Sequence, residues 1–461
     1  MTMPDDQRTD DGAAAWLPAV DPARPEPLYR QIAGQLAERI RSGRLAAGVR
    51  LPAARELARR LTVNPVTVVT AYRELARQGL VTSRVGSGTR VAGAAGSPGG
   101  GRFPLAVLKR IMDGVLERDG EAAFAADDGL GHAALRAALR RYLEGQGIAT
   151  AGAEVAVFSG AQQGLSVLVR LLVNRDDWVL VERPTYPGTL RLLQSIGARV
   201  EAVDVGPAGI DPQAVDRLFR TRPFRLAYVM PVYQNPTGAA YSSAAKRRLL
   251  ALCREHGVLL LEDDTCSDLD YGRGRQQPLR ALARRGDAEQ LLYLKSFSHL
   301  LLPGFRLGFC LVPERLLAAV RQAKAEADLF TSGFFQRVLA QFLEEGALAA
   351  WVQELERREQ RRFRRALAAA RRLLLPCGVR WLEPAGGDNL WCRLPAEVAA
   401  ARFLSLAQAA GAPVIGGAEF AADNATADHF RLHFGGLEPA AWEQALGQVA
   451  AAVTAARQGG A

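Results

Sequence analysis

Residues 92–101 read AGAAGSPGGG, a stretch made almost entirely of glycine, alanine and serine. Such a stretch has no large apolar side chain to bury and behaves as a flexible coil. It divides the 461 residues into a short N-terminal part and a long C-terminal part, and a chain of this length is expected to form more than one folding unit. We therefore predict separate folding units on the two sides of this stretch.

The composition is that of an ordinary globular protein, with 49% hydrophobic and 23% charged residues. No apolar run reaches the roughly 18 residues of a membrane span, and the opening MTMPDDQRTD is polar and acidic, unlike a secretory leader. We expect a cytoplasmic protein with no membrane partner. The five scattered cysteines include no C-x-x-C pair, so we predict neither a disulfide framework nor a metal site. The net charge of +10 permits attraction to a polyanion.

The N-terminal part has the pattern of three short helices followed by a hairpin. The first helix is predicted where apolar residues recur every four positions, at Leu28, Ile32, Leu36 and Ile40. A second is predicted over 53–61, and a third from Pro65 to about Gln78, where Asn64 caps the free amides. Residues 81–91 are predicted to form the hairpin. Two short helices joined by a tight turn are typical of helix-turn-helix proteins, whose second helix enters the major groove of DNA.

The segment over 27–92 resembles the winged helix of the GntR family, because SGRLAAGVRLP, TVVTAYRELARQGL and RVGSGTRV follow one another in order. The resemblance implies double-stranded DNA as a partner, and the alternative is a three-helix module that binds protein. Asn64, Val66 and Thr67 are expected at base edges and Arg55 and Arg84 at phosphates. Ser87 and Gly88 would lie at the tip of the wing.

The C-terminal part alternates short apolar runs with amphipathic helical stretches, which predicts a mostly parallel sheet covered by helices on both faces. A long arginine-rich helix then leads into a smaller α/β region. The predicted organisation is a disordered tail (1–24), the winged helix (25–92), a linker (93–118), a large domain (119–350) and a small domain (351–461).

Polar groups follow the predicted strands of the large domain. SGAQQ at 159–163 opens a helix whose free amides can hold phosphate. Tyr186 in ERPTYPG offers an aromatic face, and Asn235 in QNPTG can donate a hydrogen bond to a ring hydroxyl. Asp263 in LEDD places a carboxylate at the carboxyl edge of the sheet, where the sites of α/β proteins lie. Together with a lysine, these are the groups that a pyridoxal-phosphate site requires.

The ordered series SGAQQ, ERPTYPG, QNPTG, LEDD, SFS and PGFRLGF resembles fold-type I aminotransferases, and specifically the MocR-type subgroup of GntR regulators, over about 119–455. The resemblance implies an aminotransferase-like body, pyridoxal 5'-phosphate as the cofactor and a domain-swapped homodimer. The cofactor contacts that it implies are Gln162, Gln163, Tyr186, Asn235, Asp263, Thr265, Ser296, Ser298, His299 and Arg306. Arg431 would hold the carboxylate of an amino-acid-like effector.

Two positions depart from the family pattern. The family motif S-x-S-K reads SFSH at 296–299, and the spacing to the following PGFRLG is intact, so a histidine takes the place of the cofactor lysine. Thr265 stands where the family motif EDDY has a tyrosine that contacts the ring hydroxyl. Strand alternation places Lys295 on the same predicted face as His299, but about 13 Å back along the strand, which makes it a poor substitute. We therefore expect any bound pyridoxal phosphate to be non-covalent.

Three functions remain open from the sequence. The first is a DNA-binding transcription regulator whose body dimerises and senses pyridoxal phosphate or an amino-acid-like ligand without turnover. The second is a pyridoxal- or pyridoxamine-phosphate enzyme that carries a DNA-binding domain. The third is a DNA-binding scaffold whose body no longer binds a ligand. The loss of the lysine favours the first over the second, because that amine normally both tethers the cofactor and moves the α-proton.

Overall fold

The structure is a computed structural model that describes residues 26–41, 51–77, 80–84, 88–91, 103–284, 286–423 and 425–458, with a few single residues before position 50. Its contacts divide the chain into two compact units, one ending at Ser97 and the other beginning at Pro98.

In its described residues, the N-terminal unit has three helices and a two-stranded antiparallel hairpin. Its elements are α1 (Leu28–Arg41), α2 (Ala54–Leu61), α3 (Pro65–Arg77), β1 (Val81–Arg84) and β2 (Gly88–Val91). The apolar face of α1 is buried at Ile32 and Leu36, against Val68 and Leu75 of α3 in the same cluster. The Asn64 side chain accepts a hydrogen bond from the Val66 amide at 2.8 Å, which starts α3 as the Asn-Pro signal predicts.

The C-terminal unit alternates strands and helices as the apolar pattern predicts. Its strands are β3 (Ala153–Phe158), β4 (Trp178–Arg183), β5 (Arg199–Gly206), β6 (Gly209–Ile210), β7 (Phe224–Val229), β8 (Leu259–Asp264), β9 (Leu291–Ser296), β10 (Gly308–Pro313), β11 (Arg380–Trp381), β12 (Asn389–Arg393), β13 (Val414–Gly416) and β14 (His429–His433). Its helices are α4 (Leu105–Asp119), α5 (Ala133–Gly145), α6 (Ala161–Leu172), α7 (Pro187–Ile196), α8 (Pro212–Thr221), α9 (Ser243–His256), α10 (Leu279–Leu282), α11 (Leu317–Asp328), α12 (Gly333–Glu344), α13 (Ala347–Leu374), α14 (Ala400–Ala409) and α15 (Pro439–Gln458).

The large sheet confirms the predicted fold class. Over the described residues its strand order is β3-β10-β9-β8-β7-β4-β5-β6. The run from β9 to β5 is parallel, whereas β10 is antiparallel to both of its neighbours and β6 is antiparallel to β5. All residues of β8, β9 and β10 are buried, because helices cover both faces of the sheet, and this explains why these strands are nearly continuous apolar runs.

The small domain is built on a separate sheet, with the antiparallel order β11-β12-β14-β13 in the described part of the chain. The 28-residue helix α13 leads into it and packs against α15. Apolar residues of α13, of the small sheet and of α15 belong to one buried cluster that also includes residues of α5 and β10. The small sheet is therefore held against the rest of the unit by a continuous core.

No helix in the described ranges is long and apolar enough to cross a membrane. Within the same ranges, no group of three or more histidine, cysteine or acidic residues is arranged to hold a metal ion. The five cysteines are free thiols, and all of them except Cys377 are buried.

Candidate functional site

One pocket of about 250 Å³ lies at the carboxyl ends of β4, β7, β8 and β9, beside the N-terminus of α6. It is lined by Ala161, Gln162, Leu165, Tyr186, Met230, Asn235, Asp263, Thr265, Ser296, Ser298, His299 and Arg306. Except for Gln163, every predicted cofactor contact lines this pocket. Because parallel strands end at the same edge of a sheet, residues more than 140 positions apart converge here.

One end of the pocket carries hydrogen-bond donors and positive charge. Gly160 adopts φ 92° before α6, and a Cβ there would lie 2.7 Å from the Arg306 guanidinium. A Cβ on Gly308 would lie 2.7 Å from the Ala161 amide nitrogen. The two glycines therefore let the Arg306 side chain and the first amides of α6 approach each other. Ser296 and Ser298 complete this end, which has the character of an anion site at a helix N-terminus.

Asp263 is the carboxylate in the floor of the pocket. Its Oδ2 accepts a hydrogen bond from the Tyr228 hydroxyl at 2.7 Å. Its Oδ1 is buried and has no hydrogen-bond partner in the described structure. Burial raises the pKa of the Asp263 carboxyl to about 6, although the Tyr228 hydroxyl opposes this rise. A buried acceptor without a partner is costly, so Oδ1 provides a place for a donor on a ligand.

Tyr186 forms one wall of the pocket, just before α7. Its hydroxyl donates to Oε1 of Gln162 at 2.9 Å, and its ring lies where a Cβ on Gly188 would clash with it. Gly188 is therefore required for this ring position. The ring offers an apolar face of the kind on which flat aromatic ligands stack.

Asn235 lies on the side of the pocket nearest the small domain. Its Oδ1 accepts a hydrogen bond from Nη1 of Arg431 at 3.2 Å. The Arg431 guanidinium lies 5.1 Å from the centre of the Phe420 ring, and its Nε is buried with no hydrogen-bond partner in the described structure. Arg431 is therefore placed beside the pocket and retains a free donor.

His299 lies in the pocket wall with its side chain 31% exposed, and its Nδ1 is 3.7 Å from Oδ2 of Asp388. Asp388 precedes β12 and is buried. Neither Asp388 nor Tyr228 is among the site residues predicted from the sequence. The sequence gives a weak signal for Asp388, a carboxylate between Gly-Gly and an apolar strand, and none for Tyr228, which looks like an ordinary strand aromatic.

The prediction that Lys295 and His299 lie on the same face of one strand is wrong. The strand β9 ends at Ser296, and 298–300 form a turn, so the alternation of side chains does not continue to His299. The Lys295 side chain is fully buried away from the pocket. Its Nζ lies 3.0 Å from Asp264 and 2.6 Å from Asp268. Lys295 is thus part of a buried ion network.

Gln163 does not line the pocket either. Its side-chain oxygen accepts a hydrogen bond from the Ser159 amide at 2.7 Å. Gln163 therefore braces the turn before α6, and its neighbour Gln162 faces the pocket. The sequence does not show which of the two neighbouring glutamine side chains faces the pocket, because that depends on the residue at which α6 begins.

The predicted DNA contacts belong to the N-terminal unit. Asn64, Val66 and Thr67 lie at the start of α3, and Val66 is 67% exposed. Arg55 is exposed in the first turn of α2. Arg84 ends β1 and Gly88 begins β2, but the Arg84 side chain and Ser87 lie outside the described residues.

Comparison with known proteins supports this architecture. A family model described as bacterial regulatory proteins, gntR family, matches residues 28–91. The model for aminotransferase class I and II matches residues 67–449. The chain belongs to this aminotransferase family. The two matches together describe a GntR-type helix-turn-helix unit fused to an aminotransferase-like body, as the sequence motifs predict.

Proteins named as regulators are among its relatives. The chain is 27% identical to the uncharacterized HTH-type transcriptional regulator YisV of Bacillus subtilis, over 82% of this chain and 86% of that protein. It is 29% identical to the probable rhizopine catabolism regulatory protein MocR of Rhizobium meliloti, over 76% and 78%. A solved structure, the multiple substrate aminotransferase from Thermococcus profundus, superposes with a TM-score of 0.75 at 25% identity and covers 79% of this chain and 91% of that one.

Proposed function

We propose that this chain is a DNA-binding transcription regulator whose aminotransferase-like body binds a pyridoxal-phosphate-type ligand non-covalently and senses it. The DNA-binding half of this proposal follows from the GntR-type unit and its regulator relatives. The sensing half is supported by one observation, a pocket that gathers the groups for such a ligand but includes no lysine among its lining residues.

The groups present fit the phosphate and ring of the ligand. Arg306 is exposed and forms no ion pair in the described structure, so it is free to meet a phosphate together with Ser296, Ser298 and the α6 amides. The unpartnered Oδ1 of Asp263 would accept a hydrogen bond from a protonated ring nitrogen. Tyr186 would cover a ring face, and Asn235 would donate a hydrogen bond to a ring oxygen. When bound, pyridoxal phosphate supplies an electrophilic carbon and an electron-withdrawing ring.

We propose that His299 occupies the position of the cofactor lysine. Imidazole has no primary amine with which to hold the cofactor, and no other side chain of the pocket supplies one. Lys246, Lys295 and Lys324 are buried elsewhere, and Lys109 lies exposed on α4. The ligand is therefore held by charge, hydrogen bonds and stacking alone, which suits reversible sensing better than turnover.

A second copy of the chain is the proposed partner of the body. Seven large apolar side chains are exposed in the described part of the body, and five of them belong to segments between residues 105 and 330: Leu105, Leu116, Phe124, Leu329 and Phe330. Phe124 stacks on Phe334 of α12 at 5.3 Å, and α12 packs against α4. These side chains therefore lie on or beside neighbouring elements, and an apolar surface of this kind is typical of a subunit interface.

Asp263→Asn is expected to weaken binding of pyridoxamine phosphate roughly 10- to 100-fold, because it removes a charged hydrogen bond to the ring nitrogen. Since burial raises the pKa of Asp263 to about 6, the parent affinity should rise as the pH passes upward through about 6, and the contribution of Asp263 should vanish below it. Calorimetric titration at several pH values measures both effects.

Tyr228→Phe serves as the matched control. The substitution removes the Tyr228 hydroxyl, whose hydrogen bond lowers the pKa of Asp263. The midpoint of the pH dependence of affinity should therefore move to higher pH, with little loss of affinity at pH values above that midpoint. A pH profile that is the same in the parent protein and in Asp263→Asn would exclude Asp263 as the partner of the ring nitrogen.

Arg55→Ala is expected to weaken DNA binding and to lower the dependence of log K on log salt by about 0.9, as the loss of one phosphate contact requires. Fluorescence anisotropy with a duplex selected by the protein from random sequences, measured across a salt series, gives the slope. Arg55→Lys retains the charge and should retain the slope. An unchanged slope in Arg55→Ala would show that Arg55 does not contact a phosphate.

The sensing proposal is tested with the same duplex. The full-length protein is titrated onto DNA with and without pyridoxal or pyridoxamine phosphate, and we expect a saturable change in affinity that Asp263→Asn abolishes. Saturable ligand binding with no effect on DNA affinity would contradict sensing. Absence of binding by either ligand would favour a DNA-binding scaffold whose body no longer binds a ligand. Steady transamination of an amino acid would favour the enzyme.

A further inference from the structure

A buried cluster of charged groups lies directly behind His299. Asp388 Oδ2 is 3.7 Å from His299 Nδ1, and the Asp388 side chain is only 5% exposed. Oδ1 of Asp388 accepts a hydrogen bond from Nη2 of Arg362 at 2.8 Å. The two carboxylate oxygens therefore have different partners, the guanidinium on one side and the imidazole on the other.

The surroundings keep Asp388 ionised and in place. Burial would raise the pKa of the Asp388 carboxyl, but the guanidinium of Arg362, which also donates a hydrogen bond to it, lowers this pKa below its ordinary value. Arg362 also pairs with Glu359 on α13. The backbone oxygen of Asp388 accepts a hydrogen bond from the Phe434 amide at 2.9 Å.

The absence of a side chain at position 435 makes room for this arrangement. A Cβ on Gly435 would lie 2.8 Å from Oδ2 of Asp388 and 2.6 Å from Nε2 of His433. The carboxylate therefore has the His433 imidazole close to it at Gly435 and the His299 imidazole 3.7 Å away, and of these two only His299 lines the pocket. His433 is engaged elsewhere, with its Nδ1 3.1 Å from Oδ1 of Asn389.

We propose that Asp388 is a positioning residue, which holds the His299 ring with Nδ1 toward its carboxylate and Nε2 toward the pocket. A carboxylate that faces one ring nitrogen selects the tautomer with the hydrogen on that nitrogen. Nε2 then presents a lone pair to the ligand. A lone pair accepts a hydrogen bond from a primary ammonium group, whereas it repels an aldehyde oxygen.

The consequence is a ligand preference, and it rests on the proposed function of the pocket. A pyridoxal-phosphate-type ligand in its amine form, pyridoxamine phosphate, should bind more tightly than the aldehyde form. The lysine that normally tethers the cofactor selects the aldehyde by reacting with it. His299 held by Asp388 selects the amine by accepting its hydrogen bond.

The first experiment compares the affinities of the full-length protein for pyridoxamine phosphate and pyridoxal phosphate by calorimetry. Both measurements use a Lys109→Arg background, because Lys246, Lys295 and Lys324 are buried and Lys109 is the exposed lysine that could capture the aldehyde. Asp388→Asn should reduce the preference for the amine about tenfold, because an amide accepts either tautomer of the imidazole. In this variant Arg362 keeps Glu359 as its partner.

Asp428→Asn is the matched control. Asp428 contacts Nδ1 of His429 at 2.6 Å, and neither residue lines the pocket. This variant should leave the ratio of the two affinities unchanged. An equal ratio in the parent protein and in Asp388→Asn would overturn the proposal.

A second measurement does not depend on whether a variant at position 388 folds. The chain has five histidines, and the imidazole nitrogens of His299 can be assigned in ¹⁵N-histidine-labelled protein by comparison with His299→Gln. We expect the hydrogen on Nδ1 and an unprotonated Nε2. A hydrogen on Nε2 would overturn the proposal. If neither ligand binds, the proposed function is wrong, and the nitrogen spectrum alone decides the role of Asp388.

Discussion

His299→Lys is expected to give a protein that captures pyridoxal phosphate covalently in stoichiometric amount. The His299 side chain lines the same pocket as Asp263, Ser296 and Arg306. A lysine there would place its amine among the groups that we propose to hold the phosphate and the ring. Amines in a largely desolvated pocket are effective nucleophiles toward aldehydes.

The measurement is borohydride reduction after incubation with pyridoxal phosphate, followed by intact mass and peptide mapping. The parent protein should show no adduct in the pocket, and His299→Lys should show one phosphopyridoxyl group at position 299. His299→Gln is the control for the loss of imidazole. A folded His299→Lys protein without an adduct would show that Thr265, or the shape of the pocket, no longer permits the bond.

Lys295→Met is expected to lower the free energy of unfolding by about 3–5 kcal/mol, because it leaves carboxylates buried without their cation. Asp264 and Asp268 both contact the Lys295 Nζ, and the Tyr293 hydroxyl donates to Asp264 at 2.5 Å. The network therefore depends on one positive charge. Urea denaturation measures the loss, and Lys109→Met, which removes an exposed lysine, should change the stability by less than about 0.5 kcal/mol.

The same network predicts a dependence of stability on pH. Burial lowers the pKa of Lys295, but the negative charges of Asp264 and Asp268 raise it by a larger amount, so the net shift of the pKa is upward. A raised pKa in the folded state means that this stabilisation is complete below the ordinary lysine pKa of about 10.4 and is lost as the pH rises above it. Equal stability of the parent protein and Lys295→Met near neutral pH would contradict the structural role of Lys295.

Much of the pocket could be predicted because its residues follow strands in short motifs. Tyr186, Asn235, Asp263 and Ser296 each stand at or just after the carboxyl end of a buried strand. In a parallel sheet such positions must meet at one edge. Asp388 escaped prediction because it approaches His299 from the small domain, next to an antiparallel sheet whose placement no local pattern encodes.

The error over Lys295 has a different physical cause. The periodicity of two that places alternate residues on one face holds only within a strand, and β9 ends before His299. Where a strand ends in such a turn is decided by the contacts of the following loop. The choice between Gln162 and Gln163 is of the same kind, since it depends on the residue at which α6 begins.

The sequence by itself determined the two-part organisation and the class of each part, because these rest on composition, periodicity and the order of short motifs. Only the tertiary structure decided which lysines are buried, which oxygen of Asp263 is left without a partner and which carboxylate stands behind His299. Those properties arise from groups brought together across hundreds of residues, and burial then sets their charge and their partners.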